Sequence, residues 1–470
     1  LNADDVGDYS VAIGAAALAS QNTGSEGTTG NIGIGYGAGY TNVTGINNTY
    51  VGHKAGWGAS GSESGNTGIG KEALLAITTG GENVVVGNAS GDALTDGTHN
   101  TFIGSYAGST TTSVVGAVAI GQGAMESGNA TTAANGTVAI GRNTLTALTS
   151  GAGNTAVGYT AGKEITTGSR NTAIGFGAMD DSSVALALDN TFVGYDSGGG
   201  TWTGTVSSYN TGVGSYTLDA AMNGVVSTTA VGYNAGSGIT TGTKNTFLGA
   251  HAGASVTTGN YNVVIGEGAG NDFDAESENV IIGYQAATTD GYASAQSVII
   301  GAYAVQSGAH TIDGTVAIGY QAGKVLSSGQ KNIAIGYKAL LQHTTGHRNI
   351  AIGYEAMDGT GDAQTLSSTD NIFIGHAAGG GTWTGSSEIN FNVAIGSYAM
   401  DDALDDSSYN TAIGHNAGTA LTTADHSVFI GSNAGAAVTT GASNMAIGST
   451  ALDANQAGQD NVAIGLAALG

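Results

Sequence analysis

Two tryptophans in matching surroundings are the residues of this chain with the clearest potential for binding chemistry. Trp202 and Trp383 each lie in a glycine-rich stretch with the sequence GGGTWTG. A tryptophan on an exposed loop can stack on a sugar ring or on a receptor, whereas a buried tryptophan fills the space under a longer loop. Both interpretations stay open, and Trp202 and Trp383 are our candidate binding residues for a surface glycan or receptor.

Acidic side chains gather in three clusters, at residues 180–181, 272–278 and 401–406. Ca²⁺ prefers several carboxylate and carbonyl oxygens, but runs of charge are usually solvated loops, and the GGxGxD repeat of calcium-binding β-rolls is missing. No carboxylate pair is marked out for glycoside cleavage, and the nine histidines show no recurring ligand spacing. The sequence therefore predicts a protein that is not an enzyme, with no cofactor and no metal site.

A repeat organises the whole chain. A glycine ends each of 26 segments similar to NTAIG, from Gly14 to Gly465, at intervals of about 18 residues. A fixed period of this size indicates stacked single-turn units. We predict an all-β fold, a parallel β-solenoid of 26 coils of 17–18 residues that forms one continuous domain over residues 1–470. Longer intervals recur every ten coils and divide these coil glycines into blocks at 14–175, 194–353 and 375–465.

Two apolar columns precede the coil glycines. The residue directly before the glycine is Ile, Val or Leu in all 26 coils, and the residue three before it is Val, Ile or Thr in all but Met445. Residues two apart in a strand share a face, so we predict that these columns fill the lumen of the solenoid. The predicted structural core includes Ile13, Ile34, Ile120, Ile174, Ile265, Ile318, Ile335, Ile395 and Ile464.

The column between them, two residues before the glycine, is uncharged in every coil and is Ala in 13. We predict that it points away from the lumen, which leaves an apolar stripe that another chain must cover. The predicted partner is therefore a further copy of the chain, and the predicted subunit interface contains Phe102, Phe192, Phe247, Phe373 and Phe429.

Two further columns complete the predicted coil. Asn stands four residues before the glycine in 19 coils, which predicts a stacked polar ladder at a turn. An apolar residue seven after the glycine, such as Ile77 or Val438, predicts a second short strand.

Composition excludes several partners. The chain has 83 Gly, no Pro, no Cys, and 10 Lys and Arg against 35 Asp and Glu. A formal charge of −25 disfavours binding to nucleic acid and to anionic membranes. The sequence contains no run of 18 apolar residues, so we predict no membrane insertion. Because the chain begins at Leu1 and ends five residues after a coil glycine, we expect a segment of a longer chain that continues end to end.

The repeats resemble those of two families of fibrous proteins. SVAIGxxA at residues 10–17 resembles the head repeat of trimeric autotransporter adhesins, and the later NTAIGYxAG coils with TTG resemble the shaft repeats of bacteriophage tail fibres. The resemblance implies a left-handed solenoid, a homotrimer and an extracellular location on a cell surface or virion. The coils are longer than the adhesin repeat.

A chain that gains its length from repeated copies of one coil has the design of a spacer. We therefore predict that it is the structural shaft of an extracellular fibre that extends a binding tip. One alternative is an adhesin whose lateral surface itself binds host glycan or matrix. A minor alternative is an ice-binding solenoid, because TTG recurs at residues 28, 78, 166, 240, 257, 344 and 439 and such solenoids present threonine arrays.

Overall fold

A computed structural model describes residues 7–22, 27–58, 61–182, 187–288, 295–306, 311–359, 368–383 and 389–470. It confirms an all-β fold of stacked parallel coils, and the described residues form no α-helix and one 3₁₀ turn, Thr132–Ala134. The chain divides into two compact units, Leu1–Thr241 and Gly242–Gly470. A single continuous domain over 1–470 stays a prediction.

Strands in the first unit are short. They are β1 (Gly7–Asp8), β2 (Val11–Ile13), β3 (Gly27–Thr28), β4 (Ile32–Ile34), β5 (Thr49–Val51), β6 (Thr67–Ile69), β7 (Val84–Val86), β8 (Thr101–Ile103), β9 (Val118–Ile120), β10 (Val138–Ile140), β11 (Thr155–Val157), β12 (Thr172–Ile174), β13 (Thr191–Val193), β14 (Thr211–Val213) and β15 (Thr229–Val231).

The second unit repeats the pattern. Its strands are β16 (Thr246–Leu248), β17 (Val263–Ile265), β18 (Val280–Ile282), β19 (Val298–Ile300), β20 (Val316–Ile318), β21 (Ile333–Ile335), β22 (Ile350–Ile352), β23 (Ile372–Ile374), β24 (Val393–Ile395), β25 (Thr411–Ile413), β26 (Val428–Ile430), β27 (Met445–Ile447) and β28 (Val462–Ile464).

Successive coils pair in parallel and in register. In the first unit β2 pairs with β4, and in each unit the three-residue strands then pair in chain order, so that Ala139 lies between Ala119 and Ala156. Strands β1 and β3 form a separate pair. Because the register never shifts, each sequence column becomes a row of equivalent side chains along its unit.

The coil glycines end the strands because no other residue fits there. Their φ angles lie between +125° and +147°, a region that is essentially restricted to glycine. The glycines also stack directly on each other. A Cβ on Gly336 would lie 2.1 Å from the carbonyl oxygen of Gly353 in the next coil.

The predicted asparagine ladder is confirmed. In the second unit Asn349 donates its backbone N–H to Oδ1 of Asn332 at 2.8 Å, and its Nδ2 donates to the carbonyl of Ser368 at 2.8 Å. Both asparagines are fully buried. Each side chain therefore satisfies a backbone donor and a backbone acceptor of neighbouring coils, which buried polar groups require.

The predicted faces of the strand are the wrong way round. The middle residue is buried in every described three-residue strand except β2, and all five phenylalanines predicted at a subunit interface, Phe102, Phe192, Phe247, Phe373 and Phe429, are 0% exposed inside their own coils. The predicted core isoleucines point outward. Ile13, Ile174, Ile395 and Ile464 are 37–65% exposed, and Ile34, Ile120, Ile265, Ile318 and Ile335 are partly exposed.

The asparagine ladder explains this inversion. Residues four and two before the coil glycine lie on the same side of a strand, because side chains alternate with a period of two. Since the asparagine turns inward to bond the backbone, the middle strand residue must also face the lumen. The lumen is narrow, which is why Ala occupies this column most often.

The predicted second strand is absent from most of the described coils. Outside the main sheet, the described residues form only the short pair β1–β3 and isolated bridges such as Asn42 to Gly61. The second and fourth residues after the coil glycine have positive φ, as in Lys338 at +55° and Leu340 at +53°. This backbone is a turn, and the chain bends again directly after the seventh residue, as at Thr78 and Thr79, which leaves no extended strand there. The apolar residue seven after the glycine is nevertheless buried, for example Ile77 and Val438.

In six coils the volume of the lumen side chains is balanced within the coil itself. The six coils with an aromatic ring in the middle of the strand all carry glycine four residues after the coil glycine, at 56, 108, 198, 253, 379 and 435. The ring occupies the position of the missing side chain: a Cβ on Gly435 would lie 2.2 Å from Cδ1 of Phe429. Where the strand carries Ala334, the fourth residue is the buried Leu340.

Candidate functional surface: the outer face of the sheet

The first and third residues of the three-residue strands form a solvent-facing surface, called here the outer face. Leu248, Ile395, Ile413 and Ile430 on this face are 37–46% exposed. Because the strands stack in register, the side chains form two continuous rows along each unit. Burial of the middle residue thus leaves the larger aliphatic residues of the strand in water.

The outer face is most apolar in the second unit. Strands β17 to β24 carry Val or Ile at both outward positions, which gives sixteen aliphatic side chains on eight consecutive strands. At a strand spacing of about 4.8 Å this region is about 38 Å long. In the first unit, β11 to β15 carry Thr at the first position and Val or Ile at the third. The third strand position is therefore aliphatic in both regions, but the first position makes the face more polar in β11 to β15.

A row of polar and charged residues borders the outer face just before the strands. In this row Arg170 makes two hydrogen bonds to Asp189, at 2.6 and 2.8 Å, and Arg348 makes two to Asp370, both at 2.7 Å. The pairing lowers the pKa of Asp370. Each pair links neighbouring coils, and exposed pairs of this kind contribute little to stability.

Aromatic rings border the face on the other side, just after the coil glycines. In the second unit every coil from Tyr284 to His415 contributes one ring, and neighbouring centroids lie 4.8–6.1 Å apart. In the first unit a shorter row runs from Tyr159 to Tyr233. The apolar outer face is thus bounded by a charged edge and an aromatic edge.

The predicted binding tryptophans are not at the surface. Trp202 and Trp383 are each 1% exposed, and they pack against the lumen rings Phe192 and Phe373 at centroid distances of 5.9 Å. The Nε1 of Trp202 donates to the carbonyl of Gly198 at 3.1 Å. The candidate binding assignment is therefore wrong, because these side chains fill space beneath the longer coils.

Acidic residues of neighbouring coils meet in one groove of the first unit, which has a volume of about 570 Å³ and is lined by Lys163, Asp180, Asp196 and Asp219. Burial and neighbouring carboxylates raise the pKa of Asp180 and of Asp219 to about 6. Among the described residues, no group of three or more His, Asp or Glu side chains has the geometry to hold a metal ion.

The first threonine of TTG, and the equivalent threonine of related turns, is committed to the solenoid itself. The hydroxyls of Thr78, Thr95, Thr149 and Thr439 each donate to a backbone carbonyl of the next coil, at 2.9–3.1 Å. These hydroxyls form an internal ladder, so this column offers no free threonine array for an ice surface.

One buried polar group has no counterpart in the sequence prediction. Glu63 is 1% exposed, and neither carboxylate oxygen has a hydrogen-bond partner among the described residues. The hydroxyl of Tyr50 and Nδ2 of Asn42 are likewise buried without a partner. Burial raises the pKa of Glu63 to about 7. The sequence does mark this site, because Glu63 is a charged residue at a coil position that is glycine in many other coils.

The fold and the outer face define a β-solenoid repeat protein. No family model matches the chain, and no curated protein matches it in sequence. Among the described residues, no helix is long and apolar enough to span a membrane.

Proposed function

We propose that this protein is the structural shaft of an extracellular fibre, on a cell or a virion, and that its copies associate through the outer face. The resemblance of its repeats to adhesin heads and tail-fibre shafts supports the extracellular location, the left-handed coil and a homotrimer. The shaft holds a binding tip away from the surface to which the fibre is attached.

The observation that carries the proposal is the outward-facing, partly exposed aliphatic surface of β17 to β24. Isolated apolar side chains on a protein surface are ordinary, but a contiguous patch of sixteen is typical of a protein interface. The charged row on one edge and the aromatic row on the other give this surface an apolar centre and a polar rim, as in protein–protein interfaces.

A second copy of the same chain is the partner that fits best. The outer face has the same period as any other copy, so two copies can match coil for coil along the whole contact. Three copies can bring their outer faces together around a common axis. Because the contact grows with each added coil, a long array can associate stably although each coil contributes little.

The solution mass tests this proposal. We expect light scattering or sedimentation to give a mass near three times 45.8 kDa for the unaltered chain. Replacing two neighbouring outward residues, Ile395→Lys with Ile413→Lys, should produce monomers that retain the β-sheet circular dichroism signal. The lysines are accommodated in water, but they would place charges within an apolar contact.

The matched control is Thr423→Lys with Thr440→Lys. These threonines are also exposed and also one coil apart, but they lie on a turn away from the outer face. The control should keep the mass of the unaltered chain. A monomeric unaltered chain, or equal dissociation by both pairs of lysines, would refute assembly through the outer face.

A further inference from the structure

Tyrosines from three consecutive coils of the second unit are stacked almost in parallel. The rings of Tyr320 and Tyr337 lie 5.4 Å apart with an interplanar angle of 14°, and those of Tyr337 and Tyr354 lie 5.0 Å apart at 10°. All three are 38–48% exposed. Small oxidants in solvent can therefore reach each ring, while the neighbouring ring stays within van der Waals distance.

The backbone holds these rings together. The amide of Lys338 donates to the carbonyl of Tyr320 at 2.9 Å, and the amide of Glu355 donates to the carbonyl of Tyr337 at 2.9 Å. Each tyrosine thus follows a coil glycine and is linked to its neighbour through the inter-coil ladder. The tyrosines cannot separate unless adjacent coils open.

We propose that Tyr320, Tyr337 and Tyr354 form an oxidative cross-linking site, at which one-electron oxidants of the peroxidase or photochemical class join neighbouring coils by a dityrosine bond. Two phenols each lose one electron to the oxidant and one hydroxyl proton to water or a nearby carboxylate. The two radicals form a carbon–carbon bond between positions ortho to the oxygens. The ring hydrogens at those carbons then return to the oxygens, so the net loss is two electrons and two protons.

Nearby charges suit this chemistry at Tyr337 and Tyr354. Burial raises the pKa of the Tyr354 phenol, and the carboxylate of Glu355, the next residue in the chain, raises it further. The same carboxylate lies 4.0 Å from Nζ of Lys338, which sits 5.2 Å from the centre of the Tyr337 ring. Glu355 can accept the phenolic proton, and it offsets the positive charge that would otherwise make Tyr337 harder to oxidise.

The row has natural limits on both sides. Tyr303 meets Tyr320 nearly at right angles, with the centroids 5.9 Å apart and an interplanar angle of 89°. His376 stacks on Tyr354 at 5.3 Å but has no phenol. Coupling should therefore concentrate on the Tyr320–Tyr337 and Tyr337–Tyr354 pairs. A bond there closes a covalent loop of one coil in a chain without cysteine.

The test is photochemical oxidation of the full chain with a ruthenium tris-bipyridine complex and persulfate, followed by dityrosine fluorescence and peptide mass spectrometry. We expect most cross-linked peptides to join Tyr337 to Tyr320 or Tyr354. Tyr337→Phe should abolish both links and most of the fluorescence, whereas Tyr303→Phe should leave them. The oxidised chain should also show a higher thermal midpoint than the oxidised Tyr337→Phe variant.

A gain-of-function variant provides the matched control for stacking. Phe391 stacks on Tyr409 at 5.1 Å and 19°, so Phe391→Tyr should add one new cross-linked peptide that the unaltered chain lacks. Equal coupling of the perpendicular Tyr303–Tyr320 pair would overturn the proposal. So would links at Tyr337 whose yield falls on dilution, because those would join different chains. The outcome does not depend on assembly through the outer face.

Discussion

The balance of volumes in the lumen gives the most demanding prediction. Phe429→Ala removes a fully buried ring and should destabilise the second unit by about 3–5 kcal/mol. Gly435→Leu inserts a side chain whose Cβ would lie 2.2 Å from the ring, and overpacking of this kind costs about 1–3 kcal/mol or more. Together the two changes recreate the arrangement of Ala334 and Leu340. The double variant should therefore be much more stable than the sum predicts.

The size of the coupling can be worked out. Leu340 has a φ of +53°, close to the +62° of Gly435, so the backbone of this position accepts leucine at a cost of about 1 kcal/mol. We expect the double variant to lie within about 2 kcal/mol of the unaltered chain and the coupling energy to be at least about 2 kcal/mol in favour of the pair.

Local stability is the quantity to measure, because arrays of coils need not unfold in a single step. Hydrogen exchange of the amides of β26 and β27 reports the opening of these coils, and urea unfolding followed by circular dichroism gives an independent ranking. Additive effects of the two substitutions would refute the inward placement of Phe429 and restore the outward placement that the sequence predicts.

Three further predictions concern the ladders and the buried acid. Gly336→Ala should prevent or severely destabilise folding, because its Cβ meets a carbonyl at 2.1 Å, whereas Gly465→Ala has only the backbone strain of φ +128°; comparing soluble yield and thermal midpoint separates the two effects. Asn349→Ala should cost about 2–4 kcal/mol in urea unfolding, since the N–H of Asn371 and a buried carbonyl lose their partners; equal stability would disprove the ladder. The pKa of Glu63 is raised from 4.5 to about 7, so the unfolding free energy should fall as pH rises between those values, and Glu63→Gln should show a shallower pH dependence in thermal unfolding.

The sequence was sufficient for the solenoid because its signals are local and repeated. The glycine at the end of each NTAIG-like segment marks a backbone angle that other residues cannot adopt, and it locates all 26 strand ends. The asparagine column predicts a polar ladder for the same reason. The second strand was wrong because a single apolar residue such as Ile77 or Val438 can be buried beside a bend, so a buried apolar column does not require an extended segment.

The outer face could have been identified from residues already in hand. Hydrophobicity alone assigned Ile335 to the core, since isoleucine is the larger apolar residue of its strand. The inward-facing asparagine two positions before Ala334 outweighs that preference, because a buried amide fixes the orientation of its whole face. By contrast, the stacking of Tyr337 on Tyr354 depends on ring orientations that the period of the sequence does not specify.

Balanced volumes also explain how such a chain can be lengthened by duplication. The ring of Phe429 is accommodated by Gly435 of the same coil, and Ala334 is complemented by Leu340 of its own coil. An inserted coil that is balanced in this way brings its own packing, whereas a coil with two small residues, such as Ala412 and Gly418, also needs a neighbour such as Phe429 to fill its space. If copies associate as proposed, Thr or Val at the first strand position can change the strength of that association without disturbing the lumen. The interior fixes the coil, and the outward rows are free to vary.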